Sequence, residues 1–214
     1  MNKILKILFF ALFAKPLIHI VLGLKVRNIE KIRKNSPAII VANHASHIDT
    51  LILMCLFPLN KILSVYPIAA KDYFLKTKLG SWFFTQIIQI IPIDRESQKF
   101  SHTHPFEEAT KKLKEGEIVI IYPEGTRSVT NDIGEFQIGV AHLSKLNPDV
   151  PVIPVYIHGP NMVLPKDESL LVPYICDVYI GEEIEFEKDK KQFVKKLEKS
   201  VKDLRQQHYL KEFN

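Results

Sequence analysis

Only two cysteines, Cys55 and Cys176, occur in 214 residues, far apart and without metal-ligand spacing. That argues against a disulfide framework or a cysteine-based metal knuckle, and the pair reads as reduced, buried thiols of an intracellular protein. Internal repeats, low-complexity tracts and Gly/Ser linkers are also missing, so after the N-terminal stretch the chain reads as one α/β domain. Aromatic side chains do not alternate with Lys and Arg, which removes the stacking platform a single-stranded nucleic acid would need. Disorder is excluded by composition, with 46% hydrophobic and 25% charged residues. The charge balance is mildly basic, +5, with a pI near 9.0, which favours anionic partners, either lipid headgroups or nucleic acid, but is too mild to choose between them.

The N-terminus is the most apolar part. Ile4 to Ala14 is interrupted by Lys15-Pro16 and resumes as Leu17 to Leu22. Neither half reaches the roughly 20 residues of a spanning helix. Joined, they would put Lys15 and a proline near mid-membrane, which is costly. A cleavable signal peptide is disfavoured because Leu12-Phe13-Ala14 puts a large residue where cleavage wants a small one. Two short helices in the membrane interface, hinged at Pro16 with lysines reaching the headgroups, are the preferred reading for residues 1–24. A buried helical hairpin is the alternative.

Residues 25–214 read as an α/β domain. Ala38-Ile39-Ile40-Val41-Ala42 is a short buried strand, followed by a helix begun near Asp49 or Thr50, either of which could cap it. Ile68-Ala69-Ala70 predicts a strand leading to Lys71, Gln86 to Ile93 a strand ending at Asp94-Arg95, and Phe106 to Lys114 a helix stopped by Gly116. Glu117 to Tyr122 and Pro151 to Ile157 predict strands, with a helix over Gly139 to Leu146 between them, and Val178-Tyr179-Ile180 a further strand. Phe193, Leu197, Val201 and Leu204 define the apolar stripe of a C-terminal amphipathic helix whose lysines form its solvated face. This alternation predicts a mixed, largely parallel β-sheet flanked by helices, with its site at the strand C-terminal ends.

Three strand ends carry residues of chemical value: His44 with Asp49, Asp94-Arg95, and Glu124-Gly125-Thr126-Arg127-Ser128. An imidazole oriented by a carboxylate is the back half of a catalytic triad without its nucleophile. The hydroxyl it activates then belongs to a substrate. A glycine turn with hydroxyls and an arginine suits a phosphate, which guanidinium grips in a bidentate fork. Glu124 either holds that fork or binds an acceptor hydroxyl. A metal-dependent hydrolase built on His44, His47 and Asp49 is a remote alternative, since the other histidines form no ligand set at fixed spacing.

In order along the chain stand Asn43-His44-x-x-x-x-Asp49, Ile91-Pro92-Ile93-Asp94-Arg95, Tyr122-Pro123-Glu124-Gly125-Thr126-Arg127-Ser128 and Val152-Ile153-Pro154-Val155. This set resembles the four blocks of the glycerolipid acyltransferases of the 1-acyl-sn-glycerol-3-phosphate type, over roughly residues 36–184. The chain departs from the family pattern at Tyr122, where phenylalanine is usual, and at Gln137, where Phe-Lys-x-Gly has its lysine. The resemblance implies that His44 deprotonates the acceptor hydroxyl as it attacks an acyl thioester, with Asp49 orienting the ring. It further implies substrate binding by Glu124, Gly125, Thr126 and Arg127, together with Lys71 and Arg95 near the acceptor phosphate. No cofactor or metal is expected, with acyl-CoA or acyl carrier protein as co-substrate and a lysophospholipid, most simply lysophosphatidic acid, as acceptor. Another lyso-lipid or glycerol 3-phosphate is the alternative. The implied location is the cytoplasmic face of the inner membrane, as a monotopic or peripheral protein.

Overall fold

A computed structural model describes residues 2–34, 36–71, 77–93, 105–128, 132–163 and 172–212. Seven strands form one sheet: β1 (Lys25–Arg27), β2 (Ala38–Ala42), β3 (Val65–Ala70), β4 (Ile91–Ile93), β5 (Ile118–Ile121), β6 (Val152–His158) and β7 (Asp177–Ile180). Their order is β1-β7-β6-β2-β5-β3-β4. Every neighbouring pair is parallel except β6 and β7. The largely parallel sheet expected from the alternation is thus the one observed.

Strand β2 sits centrally and is buried on both faces, which is why it reads as an unbroken apolar run. Its alternate residues serve two cores. Ala38, Ile40 and Ala42 join one core with the N-terminal segment, while Ile39 and Val41 join the other with the C-terminal helix. The helices on the described residues are α1 (Asn2–Phe9), α2 (Ile29–Lys34), α3 (Asp49–Cys55), α4 (Leu59–Ile62), α5 (Lys78–Phe83), α6 (Glu107–Lys114), α7 (Gly139–Leu146), α8 (Pro160–Val163) and α9 (Lys190–Glu212).

The N-terminal segment departs from expectation in an instructive way. Helix α1 runs on through the π-helical turns Phe10–Ala14 and Leu17–Val21, and Pro16 keeps helical angles (φ −56°, ψ −46°), so there is no hinge. Buried residues recur every fourth position: Lys6, Phe10, Ala14, Ile18 and Leu22. An ordinary helix of 3.6 residues per turn would rotate such a stripe off the protein, and the wider i→i+5 turns hold it in line. The lysines do not point outward as a group. Lys6 is fully buried and donates to the Gln89 side-chain oxygen (2.8 Å) and the Val65 carbonyl (3.2 Å), while Lys15 donates to the carbonyls of Phe57 (2.9 Å) and Cys55 (3.2 Å) at the end of α3. The bond to Cys55 meets a carbonyl of the last turn of α3, where the helix itself supplies no N–H.

The strand expected over Gln86 to Ile93 is only partly one. Phe84–Ile88 is a π-helical turn continuing α5, Gln89 adopts a left-handed conformation (φ 62°), and β4 begins at Ile91. Ile87, Ile88, Ile90 and Ile91 are all buried. An apolar run of this length gains the same burial as turn or strand, so hydrophobicity could not separate the two.

Candidate active site

Strands β6, β2 and β5 are adjacent and parallel, so their C-terminal ends deliver His158, Asn43-His44 and Tyr122-Pro123-Glu124 to one edge of the sheet. Asn43 extends the ladder with its side chain. Its amide donates to the Ile157 carbonyl (3.0 Å) and its Oδ1 accepts from the Ile157 N–H (2.8 Å). The chain therefore leaves β2 in a fixed direction, with His44 next.

Asp49 is the first residue of α3, where the helix N-terminus favours a carboxylate. It does not cap the helix: Ile48 is the N-cap, with no side-chain cap bond. Instead Asp49 reaches back. Its Oδ2 accepts from His44 Nδ1 (3.0 Å), Ala45 N (2.8 Å) and Ser46 N (2.9 Å). Because a carboxylate only accepts, Nδ1 carries the proton in this contact and Nε2, on the opposite edge of the ring, is the basic nitrogen.

The Glu124 turn grips the same histidine by its backbone. Glu124 Oε1 accepts from His44 N (2.7 Å), and Ser128 N donates to the His44 carbonyl (2.9 Å). The other carboxylate oxygen, Oε2, accepts from Gly134 N (2.9 Å). Burial pushes the Glu124 carboxyl up from its ordinary range, partly offset by these two N–H donors. Both oxygens thus face backbone donors, which makes Glu124 a brace between the His44 loop and the 132–136 segment. Gly125 turns the chain at φ +72°, a conformation that disfavours any side chain. At Gly134 a Cβ would lie 2.9 Å from Glu124 Oε2, so the close approach needs glycine.

The remaining expected residues are placed less tightly. Arg127 is half-buried just after the turn, Thr126 is exposed, and Lys71 is exposed immediately beyond the end of β3. Arg95 lies outside the described residues, as does Asp94. A small cleft at this edge is lined by His44, Glu124, Ser128, Asp132, His158 and Asn161 among others. Among the described residues, no group of three or more His, Cys, Asp or Glu side chains is placed to hold a metal ion.

Residues 23–158 match the model of the acyltransferase family. The chain belongs to that family. It is 32% identical over 138 residues to a Mycoplasma genitalium protein named as a probable 1-acyl-sn-glycerol-3-phosphate acyltransferase, covering 64% of this chain and 50% of that one. It is 30% identical over 172 residues to the 1-acyl-sn-glycerol-3-phosphate acyltransferase of Pseudomonas aeruginosa, covering 79% and 63%. The matches therefore span about half to two thirds of these relatives' length. The crystal structure of the 1-acyl-sn-glycerophosphate acyltransferase PlsC of Thermotoga maritima shares the fold, with a TM-score of 0.76 at 22% identity, over 96% of this chain and 81% of that one.

Gly134 and two residues of α9 contribute to this arrangement without having been singled out by the sequence, and Asn43, quoted there only as part of the first block, contributes through its side-chain amide. Glu198 accepts from Phe136 N (3.1 Å), and Arg205 pairs with Asp132 (2.9 Å). These hold the loop that presents Gly134, so part of the charged face of α9 is structural. Asn43 could have been found from its place in the first block; the α9 contacts leave no local signal.

Proposed function

We propose that this acyltransferase moves a fatty acyl group from an acyl thioester to the free hydroxyl of a lysophospholipid, converting 1-acylglycerol 3-phosphate to phosphatidic acid. The observation that carries the reading is the His44 imidazole, tied by Nδ1 to Asp49 beside a cleft at the strand ends. His44 Nε2 takes the proton of the acceptor hydroxyl as its oxygen attacks the thioester carbonyl. The tetrahedral intermediate then expels the thiolate, which recovers the proton from the imidazolium and leaves as thiol. General-base help of this kind contributes about 10²–10⁴-fold, and orientation of the acceptor adds to it. Asp49 orients the ring and stabilises the imidazolium. Glu124 and Gly125 shape the loop, while Thr126 and Arg127, with Lys71 and Arg95, bind the acceptor phosphate. The activity named for the relatives supports the choice of acceptor.

The site works at a membrane surface in this reading. Ile4, Leu8, Leu12, Phe13 and Ile20 are exposed on the face of the N-terminal helix opposite its buried stripe. Phe9 meets Phe83 edge-on at 5.2 Å, joining that helix to α5, which adds exposed Leu79 and Trp82. A continuous segment of this length and hydropathy could cross a membrane. Its inward lysines and packed stripe instead favour a helix lying along the protein, half sunk into the cytoplasmic leaflet. A groove between Ile20–Gly23 and Pro173–Ile175 lies beside exposed Ile20 and shares His158 with the cleft.

The test is purified protein with a panel of lyso-acceptors, each with acyl-CoA or acyl carrier protein as donor, read by mass spectrometry. Phosphatidic acid should dominate, and Arg127→Ala should raise the acceptor KM more than it lowers kcat. A preference for an uncharged acceptor would overturn the assignment of the phosphate site.

A further inference from the structure

Tyr122 stands where the family pattern has phenylalanine, and both its ring and its added hydroxyl have defined neighbours. The ring lies over the His44 imidazole with centroids 4.2 Å apart and planes 20° from parallel. The hydroxyl is hydrogen-bonded to Thr50 Oγ1 at 3.0 Å. Thr50 follows Asp49 in the first turn of α3. We propose that Tyr122 is a positioning residue for His44, kept in register by Thr50, so that one helical turn sets the imidazole twice: its edge through Asp49 and its face through Tyr122. The inference rests on the general-base reading of His44.

The physical need is rotational. A single bond from Nδ1 to Asp49 Oδ2 fixes one point of the ring but lets it swing about that line. Such a swing carries Nε2 away from the acceptor hydroxyl, and a misplacement near 1 Å costs on the order of 10²-fold in rate. A flat ring against one face blocks the swing. The tether matters because Tyr122 is at the end of β5 and Asp49 is on α3, and it adds a direct bond between these elements to their indirect link through Glu124 and the His44 backbone. Burial, together with the nearby Asp49 charge, pushes the Tyr122 phenol well above its ordinary value, so it stays a neutral hydroxyl that does not compete with His44 for protons.

The test measures kcat and the acceptor KM of the full chain on lysophosphatidic acid in mixed micelles, with palmitoyl-CoA or palmitoyl-acyl carrier protein as the wild type requires. Tyr122→Leu, which removes the ring, should lower kcat by about 30–100-fold with the acceptor KM unchanged within about twofold. Tyr122→Phe and Thr50→Val, which each remove only the tether, should lose about three- to tenfold. Combined, they should be no worse than the more impaired single variant, because they delete the same interaction. Unchanged kcat in Tyr122→Leu, or losses that multiply in the double variant, would overturn the proposal. Should Tyr122→Leu fail to fold by circular dichroism, the Phe and Val cycle decides alone. His44→Ala measured alongside keeps the two readings apart. An inactive His44→Ala beside a fully active Tyr122→Leu sinks only the positioning role, whereas an active His44→Ala sinks the general-base reading and this proposal with it.

Discussion

Replacing Asp49 by asparagine separates the two things a carboxylate can do for His44. Three N–H donors converge on Oδ2, at 3.0 Å from His44, 2.8 Å from Ala45 and 2.9 Å from Ser46. The other oxygen, Oδ1, is buried with no hydrogen-bond partner among the described residues. An amide NH₂ cannot face three donors, so D49N should put its carbonyl in the place of Oδ2 and its NH₂ in the place of Oδ1. The imidazole tautomer is then preserved and only the charge is lost. In serine hydrolases the same substitution costs about 10⁴ in kcat because the tautomer is reversed. Here the loss is the difference between a charged hydrogen bond, about 1.5–3 kcal/mol, and a neutral one, about 0.5–1.5 kcal/mol. That difference of about 1–2 kcal/mol predicts a kcat reduced about 5- to 30-fold. The buried NH₂ without an acceptor costs a further ~1–3 kcal/mol of stability. At roughly 2–4 °C per kcal/mol for a chain of this size, Tm should fall by about 2–12 °C. Phosphatidic acid formation followed by mass spectrometry, with calorimetric Tm, reads both quantities. A folded D49N that loses 10⁴-fold would mean that the donor cluster does not dictate the amide orientation. An undiminished kcat would remove the Asp49 charge from the mechanism.

Gly134→Ala forces the Glu124 carboxylate away from a Cβ only 2.9 Å off, losing a charge-assisted bond of about 1.5–3 kcal/mol. The same carboxylate holds the His44 backbone, so Tm and kcat should fall together; an unaltered kcat would show that Glu124 does not brace the histidine. Lys6→Met tests the buried amine, whose pKa is lowered from 10.5 to about 7 chiefly by burial, against an upward pull from Glu117. Between those values the unfolded chain binds the proton and the folded chain does not, so wild-type stability should rise with pH from about 7 to 10.5. The Lys6→Met protein should lack that rise in urea unfolding at pH 7 and 9.5, and equal slopes in both proteins would contradict the assignment.

The sheet was legible because parallel strands buried on both faces read as apolar runs, and Ala38–Ala42, Ile118–Ile121 and Val152–His158 all announce themselves that way. The meeting of β2 and β5 ends followed from the general rule for α/β sheets, although the order β6-β2-β5 that makes them neighbours is not written locally. What stayed hidden depends on tertiary partners. Lys6 and Lys15 look like headgroup ligands until the carbonyls they meet are known. The π-helical turns compensate for a fourth-residue apolar stripe that the sequence displays but does not explain. Glu124 reads as a ligand residue because its two backbone donors, His44 and Gly134, are 80 and ten positions away.

In the proposed reaction His44 removes the proton from a lysophospholipid hydroxyl. The most direct measurement is single-turnover formation of phosphatidic acid from lysophosphatidic acid and an acyl thioester, comparing the wild type with a folded His44→Ala variant. The His44→Ala rate should be lower by at least about 10²–10⁴-fold, with acceptor binding retained. Phosphatidic acid formed at the wild-type rate by His44→Ala would show that the imidazole does not carry the proton transfer.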